Sequence, residues 1–391
     1  MTPSLEHEVV SKARELRQVI VAAGDEAERT GRIPQSVSDS LAAAGLYQMY
    51  LPREIGGLEL PPLTVFEAIE ELSIADGSVG WCVMNATGIC LAAAWLAPQV
   101  ARRMFGDSPD VRAAGSLRPL GRAWPVDGGY RVSGEWNFAS GIHNANWLYC
   151  PCLIMNGDKP SLTASGTPLI RSMWVPRSSD SMKIIHAWSV IGMRATGSEN
   201  FRIDNLVIPQ EHSVSILEEP NNAGALYRPR LFLALFHLLF AANALGIARG
   251  AINELIHMAH SEASSSSTAV LRDRGFVQSR VGQAEAIVNS ARSFVVTALD
   301  QCWAAVCSRS LDYSEQLAQL RLAIAHAINE SVRAVDLVFG AAGTNSIYTA
   351  NAIERRFRDV HVAVQHYAAF PIHYESAGKV LMGLIPSEPG W

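Results

Sequence analysis

Two stretches of this sequence hold residue types whose spacing suits chemistry on a flat ring. The first is Gly134-Glu135-Trp136-Asn137-Phe138-Ala139-Ser140-Gly141. An aromatic pair beside a small hydroxyl residue at a strand end can stack a planar ring and hydrogen-bond its edge. The second is Arg355-Arg356-Phe357-Arg358-Asp359-Val360-His361, followed by Gln365 and His366. On a helix, Arg358, His361 and Gln365 share one face, with Asp359, Val362 and His366 on another. A histidine beside a ring-binding site suits the work of acid, base or hydrogen-bond donor, since its ordinary pKa is about 6.5. Taken singly, each stretch also fits a plainer reading, a turn with core aromatics or a satisfied helical histidine.

Other chemistries lack their residues. No G-x-G-x-x-G follows a strand and no G-x-x-x-x-G-K-[ST] occurs, so neither a dinucleotide fold nor a P-loop is supported. Gly340-Ala341-Ala342-Gly343 follows a helical pattern rather than a strand. The net charge of −5, with 32 Lys+Arg against 37 Asp+Glu and no basic run, argues against nucleic acid as a partner. The six cysteines are scattered, and Cys150-Pro151-Cys152 is too tight for a zinc site, so they read as buried thiols of a reducing compartment. His361 and His366 are wrongly spaced to share a metal on one helix face, and no metal is expected. His143, His186, His237 and His361 are possible pocket members. The apolar run Leu231–Ile247 is interrupted by His237 and Asn243 and falls short of a ~20-residue span. With no apolar leader in the first residues, the chain reads as cytoplasmic, with no membrane partner.

The elements that must position these residues fall into three zones. Residues 1–110 have helical spacing, with Val9, Ala13, Leu16, Ile20 and Ala23 at three- and four-residue steps and an apolar helix pair over Phe66–Leu96. Residues 111–222 change to short glycine-punctuated runs. Asp127-Gly128-Gly129 is a hairpin signal, and Phe201–Ile208 alternates up to Pro209. This zone reads as antiparallel β. Residues 223–391 return to long Ala/Leu-rich helices, with Ser261–Thr268 as a polar loop. The class is α+β.

The order and spacing of these motifs resemble the acyl-CoA dehydrogenase superfamily, over nearly the whole chain. That resemblance implies an N-terminal helical domain, a middle antiparallel β-barrel and a C-terminal four-helix bundle. Within it, Ala114-Gly115-Ser116, Pro119-Leu120-Gly121, the Trp136–Gly141 segment, Trp188 with Ile191-Gly192-Met193-Arg194-Ala195-Thr196-Gly197-Ser198, and Arg358-Asp359 followed by His366 look like the two-component flavin-dependent monooxygenases, the group D hydroxylases. Dehydrogenases of the superfamily place a catalytic glutamate just after the arginine–aspartate pair. Here that stretch is Gln365-His366-Tyr367-Ala368-Ala369, and Glu375 comes too late.

The resemblance implies an oxygenase component that takes reduced flavin (FADH2 or FMNH2) from a separate NAD(P)H:flavin reductase. With O2, through a C4a-hydroperoxyflavin, it would hydroxylate an aromatic or polycyclic small molecule. His366 and Ser140 would be catalytic, Ser140 also bonding flavin N5. Trp136, Phe138, Thr196, Ser198, Arg274, Phe276, Gly340, Ala341 and Gly343 would hold the flavin, and Trp81, Asn85 and Ser116 the substrate. A homotetramer is implied. The alternatives are an FAD dehydrogenase or oxidase, an N- or S-oxygenating member of the same branch, and a catalytically silent scaffold.

Overall fold

The apolar helix pair expected near the N-terminus forms the floor on which the rest is built. The computed structural model describes residues 5–106, 110–261, 270–309 and 312–386. Six helices precede the sheet: α1 (Leu5–Glu15), α2 (Arg17–Thr30), α3 (Gln35–Ala43), α4 (Pro62–Ala75), α5 (Gly77–Cys90) and α6 (Pro98–Phe105). Most residues of α4 and nearly all of α5 are buried, as a helix apolar on all sides such as α5 must be. Asp76 separates the two and caps α5, its carboxylate accepting the Val79 N–H at 3.0 Å.

The sheet has nine strands: β1 (Ala113–Gly115), β2 (Gly121–Val126), β3 (Gly129–Ala139), β4 (Trp147–Asn156), β5 (Lys159–Pro160), β6 (Ile170–Pro176), β7 (Met182–Ile185), β8 (Glu199–Pro209) and β9 (Ser213–Val214). The hairpin signal is right, because β2 and β3 pair across Asp127-Gly128 and Gly128 takes φ +75°. The expected antiparallel barrel is not what forms. The strand order is β7-β8-β3-β2-β4-β6-β9, an open path among the described residues, and β4 runs parallel to both β1 and β2. The reason is competition for an edge. The hairpin fills one side of β3 and β8 takes the other, so β4 pairs with the outer edge of β2.

Five helices follow: α7 (Pro229–Ser261), α8 (Gly275–Cys307), α9 (Ser314–Ala342), α10 (Ala352–Ala363) and α11 (Ile372–Leu381). Three of these are long and two are short. The Leu231–Ile247 run is only the middle of α7. By length and composition Pro229–His260 and Gly77–Trp95 are long and apolar enough to cross a membrane, yet 94% and 89% of their most apolar stretches are buried inside the protein. Asn243 is accommodated there by donating to Ser73 Oγ and to the Gly77 carbonyl, both at 2.9 Å. Where α7 crosses α5, a Cβ on Gly88 would stand 1.9 Å from the Phe236 ring, so only glycine lets the two helices close. Beyond Ser261, the polar patch expected as a loop lies outside the described residues.

Candidate active site

A cavity of about 490 Å³ opens where α5, the sheet, α7 and the end of α10 meet. That is ample for a ring system in a mostly apolar site. Trp81 and Asn85 reach it from α5, Ser116 from the segment after β1, and Phe138, Ser140 and Ser198 from the sheet. His366 faces them from beyond α10. The structure thus brings together seven of the catalytic, flavin-binding and substrate-binding residues that the resemblance implied. Among the described residues no Asp or Glu lines the cavity.

One wall is made of hydroxyl groups. Trp81 Nε1 donates to Ser140 Oγ at 3.0 Å, Ser140 Oγ and Ser198 Oγ are 2.7 Å apart, and so are Ser198 Oγ and Thr196 Oγ1. Thr196 Oγ1 donates to the Met193 carbonyl at 2.8 Å. Each hydroxyl has one hydrogen, so the count fixes every direction. Thr196 spends its hydrogen on the carbonyl, Ser198 must therefore donate to Thr196, and Ser140 must donate to Ser198. Ser140 receives Trp81 on one lone pair and keeps the other. All three hydroxyls are buried, Ser140 being 5% exposed.

The opposite wall is made of rings. His366 does not continue α10, as the helical face argument supposed. The helix stops at Ala363, and His366 takes extended backbone at the head of a short 3-10 turn, where its Nδ1 accepts the Ala368 N–H at 3.2 Å. That bond leaves the ring proton on Nε2. Its imidazole stacks on Phe240, with ring centroids 3.7 Å apart and planes 12° from parallel. Burial, with the nearby His373 adding to it, pushes the His366 pKa down to about 3. His366 is a neutral ring with Nδ1 occupied, hence a fixed N–H donor rather than the near-neutral base its ordinary pKa suggested. His237, on α7, shares this wall, its ring centroid 5.9 Å from that of His366.

The arginine–aspartate pair joins the two walls. Asp359 on α10 accepts the Met193 N–H, and Arg358 NH1 donates to the Ile191 carbonyl at 2.6 Å. A Cβ on Gly192 would stand 2.3 Å from the Arg358 carbonyl oxygen, so the chain passes there only as glycine. Met193 is held at φ +53°, a left-handed value that a branched neighbourhood of hydrogen bonds must impose. The segment leading to Ser198 is thereby fastened to the helix leading to His366. Burial and the like charge of Asp76 push the Asp359 pKa up to about 7.

Other residues fall elsewhere. The sequence pairs Trp136 with Phe138 as aromatics beside a hydroxyl residue at a strand end, and in a regular strand residues two apart share a face. A register shift between Trp136 and Ala139 and φ +60° at Phe138 break the alternation. Trp136 is buried in the sheet core, stacked on Phe201, while Phe138 is 57% exposed at the cavity. Thr196 stands behind Ser198 and not on the cavity surface. Arg274, Phe276, Gly340, Ala341 and Gly343 do not line this cavity, and Phe276 is exposed beneath Arg280. Glu375, on α11, is paired with Lys379 at 2.8 Å.

Of the four extra histidines, only His237 reaches the cavity. His361 Nδ1 bonds the Phe357 carbonyl at 2.7 Å. Linear spacing offered no metal-ligand set, yet the fold draws His143, His186 and Glu199 within 4.8 Å of one another. Burial would raise the Glu199 pKa. The Ala187 and Trp188 N–H groups, donating to Oε2 at 2.7 and 3.0 Å, outweigh it and hold the carboxyl below its ordinary value. That carboxylate fixes the turn bearing Trp188, which lines the cavity edge-on to Phe138 at 6.2 Å. The site reading missed Trp188 and the cavity residues Arg118, Gln365 and Tyr367, although Trp188 stood beside a motif already noted.

Comparison with known proteins agrees with this architecture. Residues 5–98 match the acyl-CoA dehydrogenase N-terminal domain and residues 238–371 the acyl-CoA dehydrogenase C-terminal domain. The indole-3-acetate monooxygenase of Pseudomonas putida is 30% identical over 368 residues, covering 94% of this chain and 91% of that protein. The FADH(2)-dependent resorcinol hydroxylase oxygenase component of a Rhizobium species is 25% identical over 386 residues, covering 92% and 90%. The crystal structure of the HsaA monooxygenase from Mycobacterium tuberculosis superposes with a TM-score of 0.88 at 23% identity, covering 99% of this chain and 100% of that one. The chain belongs to the acyl-CoA dehydrogenase superfamily, in its flavin-dependent monooxygenase branch.

Proposed function

We propose that the cavity between Ser140 and His366 is where this enzyme hydroxylates an aromatic small molecule, with the flavin ring against the hydroxyl wall and the substrate against the ring wall. The enzyme is the oxygenase component of a two-component flavin-dependent monooxygenase and uses reduced flavin from a separate reductase. When bound, reduced flavin supplies the electron pair that lets one atom of O2 enter the substrate while the other leaves as water.

The hydroxyl count carries the reading. Ser140 offers the cavity a lone pair and no hydrogen, because its hydrogen is committed to Ser198. Reduced flavin carries an N–H at N5 and oxidised flavin does not, so this wall fits the reduced form. Phe138 and Trp188 supply a flat apolar surface beside it. Across the cavity, the His366 Nε2–H is a neutral donor placed to hold an oxygen atom as negative charge develops on it. The apolar rings around both exclude water, which suppresses unproductive release of peroxide.

The dehydrogenase alternative lacks its agent, since no carboxylate lines the cavity to take a proton from an acyl thioester. N- and S-oxygenation would use the same residues and differ only in the atom offered. A homotetramer is part of the proposal. The side chains of Phe276, Tyr348, Leu381 and Met382 are exposed around the C-terminal helices and would be covered by other copies. That arrangement would also give Arg274, Phe276 and Gly340–Gly343 a flavin to approach from a neighbouring protomer. Light scattering of the purified protein tests the assembly, and a monomer would refute it.

The function is tested in a single turnover. Protein carrying reduced FAD or FMN is mixed with 18O2 and a panel of phenols and indoles. One labelled oxygen in the product is expected. Complete conversion of the flavin's electrons to peroxide across the panel would contradict the proposal.

A further inference from the structure

His237 is only 3% exposed, lines the cavity, and its side chain makes no hydrogen bond among the described residues. Rings surround it: Phe240 at 6.3 Å between centroids, His366 at 5.9 Å and His373 at 5.5 Å lie edge-on, and Tyr367 at 5.9 Å is tilted. A polar group left unpaired costs free energy, and the cavity that His237 lines is a direction from which a partner can come. The neighbouring imidazoles are committed. His366 spends Nδ1 on the Ala368 N–H, and His373 Nε2 donates to the Tyr367 carbonyl at 3.0 Å.

We infer that His237 is the substrate's hydrogen-bond acceptor, and that it selects aromatic rings carrying an N–H or O–H donor over the same rings with that hydrogen replaced. A neutral imidazole always keeps one nitrogen lone pair. With no carboxylate on the cavity wall, that lone pair is the most basic acceptor a bound ring meets. The position is set by the helix. Phe240, which His366 stacks upon, lies one turn along α7 from His237, so a single helix face orients both histidines. His366 then serves as donor and His237 as acceptor, on one wall.

The inference rests on the aromatic-substrate reading above, and its test needs neither flavin nor turnover. Equilibrium dialysis of the full-length chain compares indole with 1-methylindole and phenol with anisole. The unmodified protein should bind the donor-bearing member of a pair about five- to tenfold more tightly, the effect of one buried hydrogen bond. His237→Phe should bind both members equally, and His237→Asn, which keeps an acceptor, should recover part of the preference. His237→Met serves the same purpose if the phenylalanine variant does not fold. Absence of any preference in the unmodified protein, or a preference that survives removal of the imidazole, would overturn the inference. An enzyme that fails to oxygenate in the single-turnover experiment but still discriminates in dialysis would sink the function and leave the assignment of His237 standing.

Discussion

The two walls of the cavity solve the same problem in opposite ways. On the hydroxyl wall every hydrogen is spent, and the chain Trp81 to Ser140 to Ser198 to Thr196 to the Met193 carbonyl has one allowed direction. On the ring wall little is spent. His366 uses one nitrogen, His237 uses neither, and stacking rather than hydrogen bonding sets their positions. A saturated wall presents one fixed acceptor, which under the proposed function would discriminate by the redox state of the flavin against it. An unsaturated wall leaves donors and acceptors over for groups that arrive with the substrate.

Variants on each wall should therefore fail differently. The largest effect belongs to His366→Ala, which removes the neutral donor and should lower product per flavin oxidised by about 10²–10³, with the lost electrons recovered as peroxide. His366→Gln keeps an N–H and should recover part of the yield, and unchanged coupling in the alanine variant would remove His366 from the chemistry. Ser140→Ala comes next. It leaves the Trp81 N–H without its acceptor and should weaken reduced-flavin binding about tenfold in an anaerobic titration. Unaltered affinity would break the assignment of the hydroxyl wall to the flavin.

The join between the walls gives a smaller, pH-dependent signal. Asp359, pushed up to about 7, holds its proton more tightly in the folded chain than in the unfolded one, where the ordinary value is about 3.9. Its contribution is fully present below about pH 4 and is lost as pH rises through about 7. Asp359→Asn keeps an acceptor for the Met193 N–H and should flatten that slope in denaturant melts, whereas Asp359→Ala should cost about 1–3 kcal/mol at any pH. A slope identical to the parent's in the asparagine variant would contradict the burial argument. The smallest effect expected is none. Because His366 is held down near 3, product yield should show no titration from it between about pH 5 and pH 8, and a limb near 6.5 that disappears in His366→Gln would show otherwise.

Much of this was legible before any coordinates. Helix, β and helix zones and the β2–β3 hairpin followed from period and turn residues, and the family resemblance put Ser140 and His366 in one site. What sequence concealed depends on contacts between distant segments. β4 lies parallel to β2 because β8 already holds β3, a competition that no local pattern records. Trp136 and Phe138 part company because one residue takes a positive φ. His143, His186 and Glu199 meet only through the fold. The reading of His366 changed most, since burial and one backbone N–H leave a neutral ring with its hydrogen on Nε2 where the sequence suggested a near-neutral pKa. His237, one histidine in an apolar helix, carried no local signal beyond being polar where its neighbours are not.

The claim on which the rest depends is that the hydroxyl wall fixes Ser140 as an acceptor and so favours reduced flavin. The direct measurement is an anaerobic titration of the protein and of Thr196→Val with reduced and oxidised FAD and FMN. The unmodified protein should prefer the reduced form. In Thr196→Val, Ser198 has lost its acceptor and can turn to donate to Ser140, which releases the Ser140 hydrogen, and the preference should narrow by about fivefold. Tighter binding of oxidised flavin by the unmodified protein, or a preference indifferent to Thr196, would contradict it.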